Sequence, residues 1–233
     1  MKNKSLRLDI SRQPNDSTCG PTSLHAVYNY FNEDFTLEEV IDSIEYLDSG
    51  GTLAVMLGID ALKKGFHAEI ITYNLKVFDP SWFQNENINL IEKLKEQLRF
   101  KKTPKFKQAS LAYIKFLEKG GKITYKTLNK DLLQSYLIQE IPILTGLSAT
   151  YLYNEKREYG EEPVLYDDIK GQPSGHFVVL SGINYEDSTV MVSDPLHANP
   201  FETQNYSVDM DHLICAILLG VITYDANLLI INK

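Results

Sequence analysis

The chain has 233 residues, 43% hydrophobic and 23% charged, the make-up of a globular protein with material for one substantial core. Its net charge of −8 argues against a dedicated nucleic-acid binder, which needs surplus lysine and arginine to displace counterions from phosphates. No run is long and apolar enough to span a bilayer, residues 1–9 carry no apolar leader core, and two cysteines, Cys19 and Cys215, are too few for a disulfide scaffold. A cytoplasmic protein of one domain, residues 1–233, is therefore expected, with no membrane partner.

The first element is a helix over residues 22–31, in which Leu24, Val27, Tyr28 and Phe31 repeat at i, i+3, i+4, i+7. Gln13-Pro14-Asn15-Asp16-Ser17-Thr18-Cys19-Gly20-Pro21 runs straight into it. A thiol at that position meets the unpaired N–H groups of the helix start, which favour thiolate. Pro21 suits a first helical position, and Gly20 lets a substrate or a backbone approach the sulfur. The plainer alternative is that Cys19 is a small buried hydrophobe.

Thr36-Leu37-Glu38-Glu39 is a capping box that opens a second helix to about residue 47, broken by Asp48-Ser49-Gly50-Gly51. A third helix spans residues 52–64 with Gly65 as its cap, and residues 66–73 form the first strand. Residues 87–130 are helical in pattern, with Gly120-Gly121 as a stop, and 127–139 reads as another helix. This makes a basic helical segment at about 85–140. Residues 93–130 hold 12 of the 23 basic residues and only Glu96 and Glu118 as acids, a local balance of +10 that leaves the rest of the chain at −18. Such polarity steers an acidic ligand, pairs two parts of the molecule, or is the solvated face of two helices.

From residue 141 the period shortens. Residues 141–148, 176–183, 189–193, 219–224 and 228–231 read as strands, with a last hairpin turned at 224–227. Helices first and strands later give an α+β fold, N-terminal helices packed on a mostly antiparallel sheet. Between residues 149 and 175 no periodicity is visible. Tyr151, Tyr153, Tyr159 and Tyr166 lie there with Glu161, Glu162, Asp167 and Asp168. A loop of that length is commonly functional, so it reads as an active-site rim, or else as a surface excursion packed by its own tyrosines.

A cysteine nucleophile needs an imidazole and a group to hold it. His176 opens the apolar strand Gly175-His176-Phe177-Val178-Val179-Leu180, and Asp194 ends Val190-Met191-Val192-Ser193. A hairpin turned near Tyr185 sets the two opposite each other, Cβ atoms about 5 Å apart, whereas a turn one residue later displaces them by two positions. The other histidines are weaker: His25 is out of registry with Cys19, His67 follows a helix cap, His197 neighbours Asp194 only in sequence, and His212 with Cys215 lacks the further ligands a metal needs. Cys215 in Leu213-Ile214-Cys215-Ala216-Ile217-Leu218 is expected in the core.

Gln13 with Cys19-Gly20-Pro21, then Gly175-His176-Phe177-Val178-Val179, then Asp194-Pro195, resemble the C39-like branch of papain-like cysteine peptidases in chain order. Residues 78–83 and 145–153 resemble segments of stand-alone bacterial C39-like proteins, so the likeness covers most of the chain. The resemblance implies a papain-like fold and a thiol hydrolase acting on peptide or amide bonds through an acyl-enzyme. It implies Cys19 as nucleophile, His176 as base and acid, Asp194 as orienter, and Gln13 as oxyanion donor beside the Cys19 N–H. Gly20, Gly175, Tyr151 and Tyr153 are the candidate substrate contacts, with no cofactor and no metal. Acyl transfer to an amine by the same thiol, and a non-catalytic peptide-binding module, are the competing readings. Without a transporter segment or a P-loop in the sequence, the double-glycine specificity of exporter-fused members does not carry over, and these motifs encode neither substrate identity nor oligomeric state.

Overall fold

Consecutive apolar residues on the strands sort to opposite sides: Leu228 and Ile230 enter one core while Leu229 and Ile231 enter another, as do Val178 and Leu180 against Phe177 and Val179. A sheet buried on both faces is the outcome of such uninterrupted apolar runs. The structure, a computed structural model, describes residues 3–48, 50–160 and 164–233. Ser49 of the expected helix break, and Glu161 and Glu162 of the acidic cluster, lie outside the described residues.

In chain order the elements are β1 (Lys4–Ser5), α1 (Cys19–Tyr30), α2 (Leu37–Ser43), α3 (Ala54–Lys63), β2 (His67–Thr72), a 3₁₀ turn (Pro80–Phe83), α4 (Leu90–Gln97), α5 (Pro104–Glu118), β3 (Lys122–Thr124) and α6 (Lys130–Leu137). There follow β4 (Ile143–Ser148), α7 (Ala149–Tyr153), β5 (Glu158–Tyr159), β6 (Leu165–Tyr166), β7 (Gly175–Asn184), β8 (Thr189–Ser193), β9 (Asn205–Asp209), α8 (Met210–Leu219), a second 3₁₀ turn (Gly220–Thr223) and β10 (Asn227–Asn232). The main sheet runs β3-β2-β10-β4-β7-β8-β9, with β1 also paired to β7. Every pairing in it is antiparallel except β2 with β3. Helices α1, α3 and α5 supply one core and α6 and α8 the other. The α+β architecture stands as expected, with helices on both faces of the sheet.

Several local expectations change. Strand β3 interrupts the segment expected to be wholly helical at 85–140. Gly120, at φ +88°, turns the chain back, and Gly121 lies so close to the Phe116 ring that a Cβ would sit 2.4 Å from it. The chain then lays buried Ile123 beside β2. The second helix stops at Ser43, where Ile44 turns extended, rather than near residue 47. Residues 219–224 are not a strand. Their β-branched run closes as a 3₁₀ turn ending on Tyr224 at φ +79°, with the Asp225 N–H donating to Gly220 O at 3.0 Å. The 149–175 segment is built rather than irregular: α7, then the β5–β6 hairpin, tied back by a Glu158–Gln172 bridge.

The same 3₁₀ turn carries Asp225 into the interior. The carboxylate accepts from the Ala54 N–H at 3.0 Å, capping α3, whose own N-cap residue Leu53 has no side-chain acceptor. Burial pushes its pKa up to about 7, against the opposing pull of that hydrogen bond, the Lys105 charge and Asn227. An acid raised in the folded state binds more protons folded than unfolded, so its contribution to stability falls as pH rises from about 4 to 7. We expect the stability of wild type relative to Asp225→Asn to drop across that window by about 4 kcal/mol. Denaturant melts of both proteins at pH 4.5 and 7.5 check this, and a pH-independent difference refutes it.

Candidate active site

A tight turn delivers Cys19 to the helix start. The Ser17 N–H donates to Asn15 Oδ1 at 3.0 Å, and Thr18 Oγ1 accepts from the Asn15 N–H while donating to Asn15 O at 2.9 Å. The helix begins at Cys19 itself, three residues ahead of the position expected from apolar spacing. Pro21 is thus the third helical residue, still within the first turn, where a missing N–H costs nothing. As first helical residue, Cys19 has a backbone N–H with no intrahelical acceptor.

Gly20 and Ser23 fix how close this helix comes to β7. A Cβ on Gly20 would sit 2.5 Å from Thr52 Cγ2 and 3.3 Å from Phe177 Cδ2, and Ser23 Oγ donates to Phe177 O at 3.2 Å. The expectation that Gly20 faces substrate is therefore corrected. It is a buried packing glycine whose open side is filled by Thr52 and by the neighbour of His176.

The β7–β8 hairpin closes on Asn184 opposite Thr189 and carries a bulge between Leu180 and Gly182. Val179 pairs with Ser193, so continuing that register sets Asp194 level with Val178, two positions from His176. This is the displaced arrangement of the two that the spacing allowed. The side chains bridge it diagonally: His176 Nε2–H donates to Asp194 Oδ1 at 2.8 Å. Both are buried, His176 at 7% exposure and Asp194 at 0%.

Asp194 is fully engaged. Its Oδ2 accepts from Tyr153 Oη at 2.7 Å and Tyr206 Oη at 2.6 Å, and Oδ1 also accepts from the Leu196 N–H at 2.8 Å. Burial alone would raise this acid, but His176 and the two tyrosine hydroxyls outweigh it and hold the pKa below the ordinary value. Burial likewise pulls His176 down. The charge and hydrogen bond of Asp194, with smaller contributions from Cys19, take it up instead, to about 10. Burial, then the Asp194 charge, raise both tyrosines, so they remain protonated donors.

Cys19 lies beside the imidazole, near enough to raise it, while the aligned hydrogen bond is the one to the carboxylate. With Nε2 committed to Asp194, Nδ1 is the nitrogen left for the sulfur. Gln13 is tied to Pro195, next to Asp194, and to the turn that precedes Cys19. Its N–H donates to Pro195 O at 3.0 Å, its Nε2 donates to Asn15 O at 3.0 Å, and its Oε1 is buried with no donor among the described residues. Gln13, Gly175, His176 and Tyr153 line a cleft of about 150 Å³.

Tyr151 does not reach that cleft. Two residues apart on a helix point about 200° apart, so as Tyr153 turns in to Asp194, Tyr151 turns out, stacking on His212 with ring centroids 4.7 Å apart. The expected role of Tyr153 widens accordingly: its ring lines the cleft and its hydroxyl holds the carboxylate. Tyr206 was not anticipated. Its signal is the alternation in Asn205-Tyr206-Ser207-Val208-Asp209, where only Tyr206 and Val208 are buried.

The remaining histidines are engaged elsewhere or exposed. His25 donates to Phe35 O at 3.0 Å, His212 to Leu152 O at 3.1 Å, and His67 and His197 face solvent. Cys215 is exposed, correcting its expected core position, because α8 buries Met210, Leu213, Ala216 and Ile217 and leaves 215 on the opposite face. Among the described residues no group of three His, Cys, Asp or Glu side chains gathers to hold a metal, and no helix is long and apolar enough to cross a membrane.

The sequence model of the Peptidase_C39 like family matches residues 5–214. The chain belongs to the C39-like peptidase family. Among solved structures, a protein of Bacillus anthracis assigned as a C39-like peptidase superposes with a TM-score of 0.52 at 13% identity, over 100% of this chain and 98% of that one. That likeness supports the C39-like fold of the mixed, largely antiparallel sheet. Xylellain, a cysteine protease from Xylella fastidiosa, aligns at a TM-score of 0.45 and 14% identity over 99% of this chain and 85% of that one. Among curated proteins no sequence match was found.

Proposed function

We propose that this C39-like protein is a cysteine-dependent hydrolase of peptide or amide bonds, with Cys19 as nucleophile, His176 as base and acid, Asp194 as the group that orients His176, and Gln13 Nε2 with the Cys19 N–H as oxyanion donors. The observation that carries this reading is the buried 2.8 Å contact between His176 and a carboxylate whose four donors lock it in place, at the mouth of the helix that begins with Cys19. Bonding at Nε2 fixes the tautomer and leaves Nδ1 to exchange a proton with the thiol.

The chemistry follows from those roles. The Cys19 Sγ electron pair attacks the carbonyl carbon, and the oxyanion that forms takes hydrogen bonds from Gln13 Nε2 and the Cys19 N–H. The C–N bond breaks as His176 Nδ1–H protonates the leaving nitrogen, giving a thioester. Water then adds with its proton passing to Nδ1, and the C–S bond breaks to release the acid and restore the thiol–imidazole pair.

The experiment is a substrate-profiling screen with a peptide library, read by mass spectrometry, with Cys19→Ala as control. Cleavage that vanishes in Cys19→Ala is expected. On a substrate so found, Gln13→Ala is expected to lower kcat by about 10²- to 10³-fold. Cleavage that persists without the sulfur would falsify the assignment.

A further inference from the structure

The walls of the cleft carry a charge opposite to the one the sequence suggested. Of residues 93–130, the basic stretch, none lines it. Within that stretch Lys115 pairs with Glu45, Lys126 pairs with Glu69 and Lys105 lies over the Tyr224 ring. An acidic substrate steered by them is accordingly not what this cleft fits. Among the described residues its charged lining is Asp16, Glu155 and Glu158 against Lys156, with the His176 ring already paired to Asp194.

Those three carboxylates have no cation within 4.0 Å among the described residues. Arg157 donates to the carbonyls of Asp168 and Ile169, and the charges of Lys156 and Arg157 act on Asp167. The acids converge from two directions, Asp16 from the turn that presents Cys19 and the glutamates from the β5 approach. Tyr166 lines the same cleft as an aromatic wall, and its hydroxyl is raised first by burial and then by Glu158, Glu155 and Asp16. The same cleft holds His176. It therefore has an apolar and aromatic lining for an aliphatic stem and unneutralised carboxylates for its charged end.

We infer that the cleft selects peptides with a lysine or arginine side chain near the bond presented to Cys19, held by Asp16, Glu155 and Glu158. This rests on reading the cleft as the substrate side of the Cys19–His176 site.

The test measures binding apart from turnover. The full-length Cys19→Ala protein is titrated into fluorescein-labelled octapeptide pools, neutral elsewhere, in which lysine, glutamine or glutamate is fixed at one position at a time. At one or two positions the lysine pool is expected to bind about tenfold more tightly than the glutamate pool at low salt, as three partly exposed charge pairs allow. Screening at 0.5 M salt is expected to erase most of that ratio. Reversal of the preference in Glu155→Lys/Glu158→Lys, and not in the control Glu86→Lys/Glu118→Lys outside the cleft, supports the inference. Equal binding, a glutamate preference, no binding by any pool, or a lysine preference that both double variants leave intact overturns it. Loss of Cys19-dependent cleavage in the wild type with the lysine preference preserved would sink the hydrolase reading alone.

Discussion

Asp194→Ala is expected to lower the melting temperature by about 10 °C, more than any surface substitution in this chain. Its removal strands four donors at once: the buried His176 Nε2–H and Tyr206 hydroxyl, and the half-buried Tyr153 hydroxyl and Leu196 N–H. Breaking a buried charge pair by deleting one partner costs about 3–5 kcal/mol, and each kcal/mol moves the midpoint of a chain this size by about 2–4 °C. Asp194→Asn separates charge from shape. It keeps the volume and one acceptor, but burial, which opposes the imidazolium, then acts without its counterweight, so the His176 pKa is expected to fall from about 10 to below 6.5. The linkage has two edges. A raised His176 contributes stability that is complete below about 6.5 and is lost as pH climbs through about 10. A depressed Asp194 contributes stability that is present above its unfolded value and disappears as acid carries pH down through its folded value. The stability gap between wild type and Asp194→Asn should therefore be widest between about pH 4 and 6.5. Calorimetry across that range, with NMR titration of the ring, checks both parts, and an unshifted His176 titration in Asp194→Asn would mean that the ion pair does not form.

Local chemistry made much of this legible beforehand. The capping box at Thr36 and Glu39 forms with both its reciprocal hydrogen bonds, and Leu24, Val27 and Tyr28 are buried as their spacing requires. Strand β8 spans the residues expected of it. What escaped the sequence depended on partners far along the chain. Phe177 to Leu180 is apolar without interruption, which signals burial but not that helices cover both sides of the sheet. The meeting of His176 with Asp194 hinged on a bulge between Leu180 and Gly182, set where β1 crosses so closely that a Cβ on Gly182 would lie 2.7 Å from Lys4 O. Tyr151 and Tyr153 could be told apart only once a five-residue helix, too short to show a period, gave them opposite faces. Cys215 looked like core because its helix is apolar all round, and only packing reveals which side faces solvent. The cleft's charge was hidden for a similar reason: the basic run is continuous in sequence, whereas Asp16 and Glu158 are brought together only by the fold.

The two thiols offer the second large effect, because exposure and activation point in opposite directions. Cys215 is exposed and Cys19 is only 8% exposed, so on access alone iodoacetamide should take Cys215 first. If His176 acts on the sulfur, the order inverts. An imidazole raised to about 10 is charged throughout the neutral range, and a cation beside a cysteine favours the thiolate, which is the reactive form. At pH 6, where an ordinary thiol is almost wholly protonated, Cys19 is expected to alkylate about tenfold or more faster than Cys215. His176→Ala should remove that advantage and leave the exposed thiol ahead. Asp194→Asn should fall between the two, because the ring stays in place and loses the charge that keeps it protonated. Peptide mapping after timed labelling gives the Cys19 rate in each of the three proteins, with Cys215 as the internal reference. Were Cys215 to react first in the wild type, or were the rate at Cys19 indifferent to His176, the sulfur and the ring would not form a working pair, whatever their proximity.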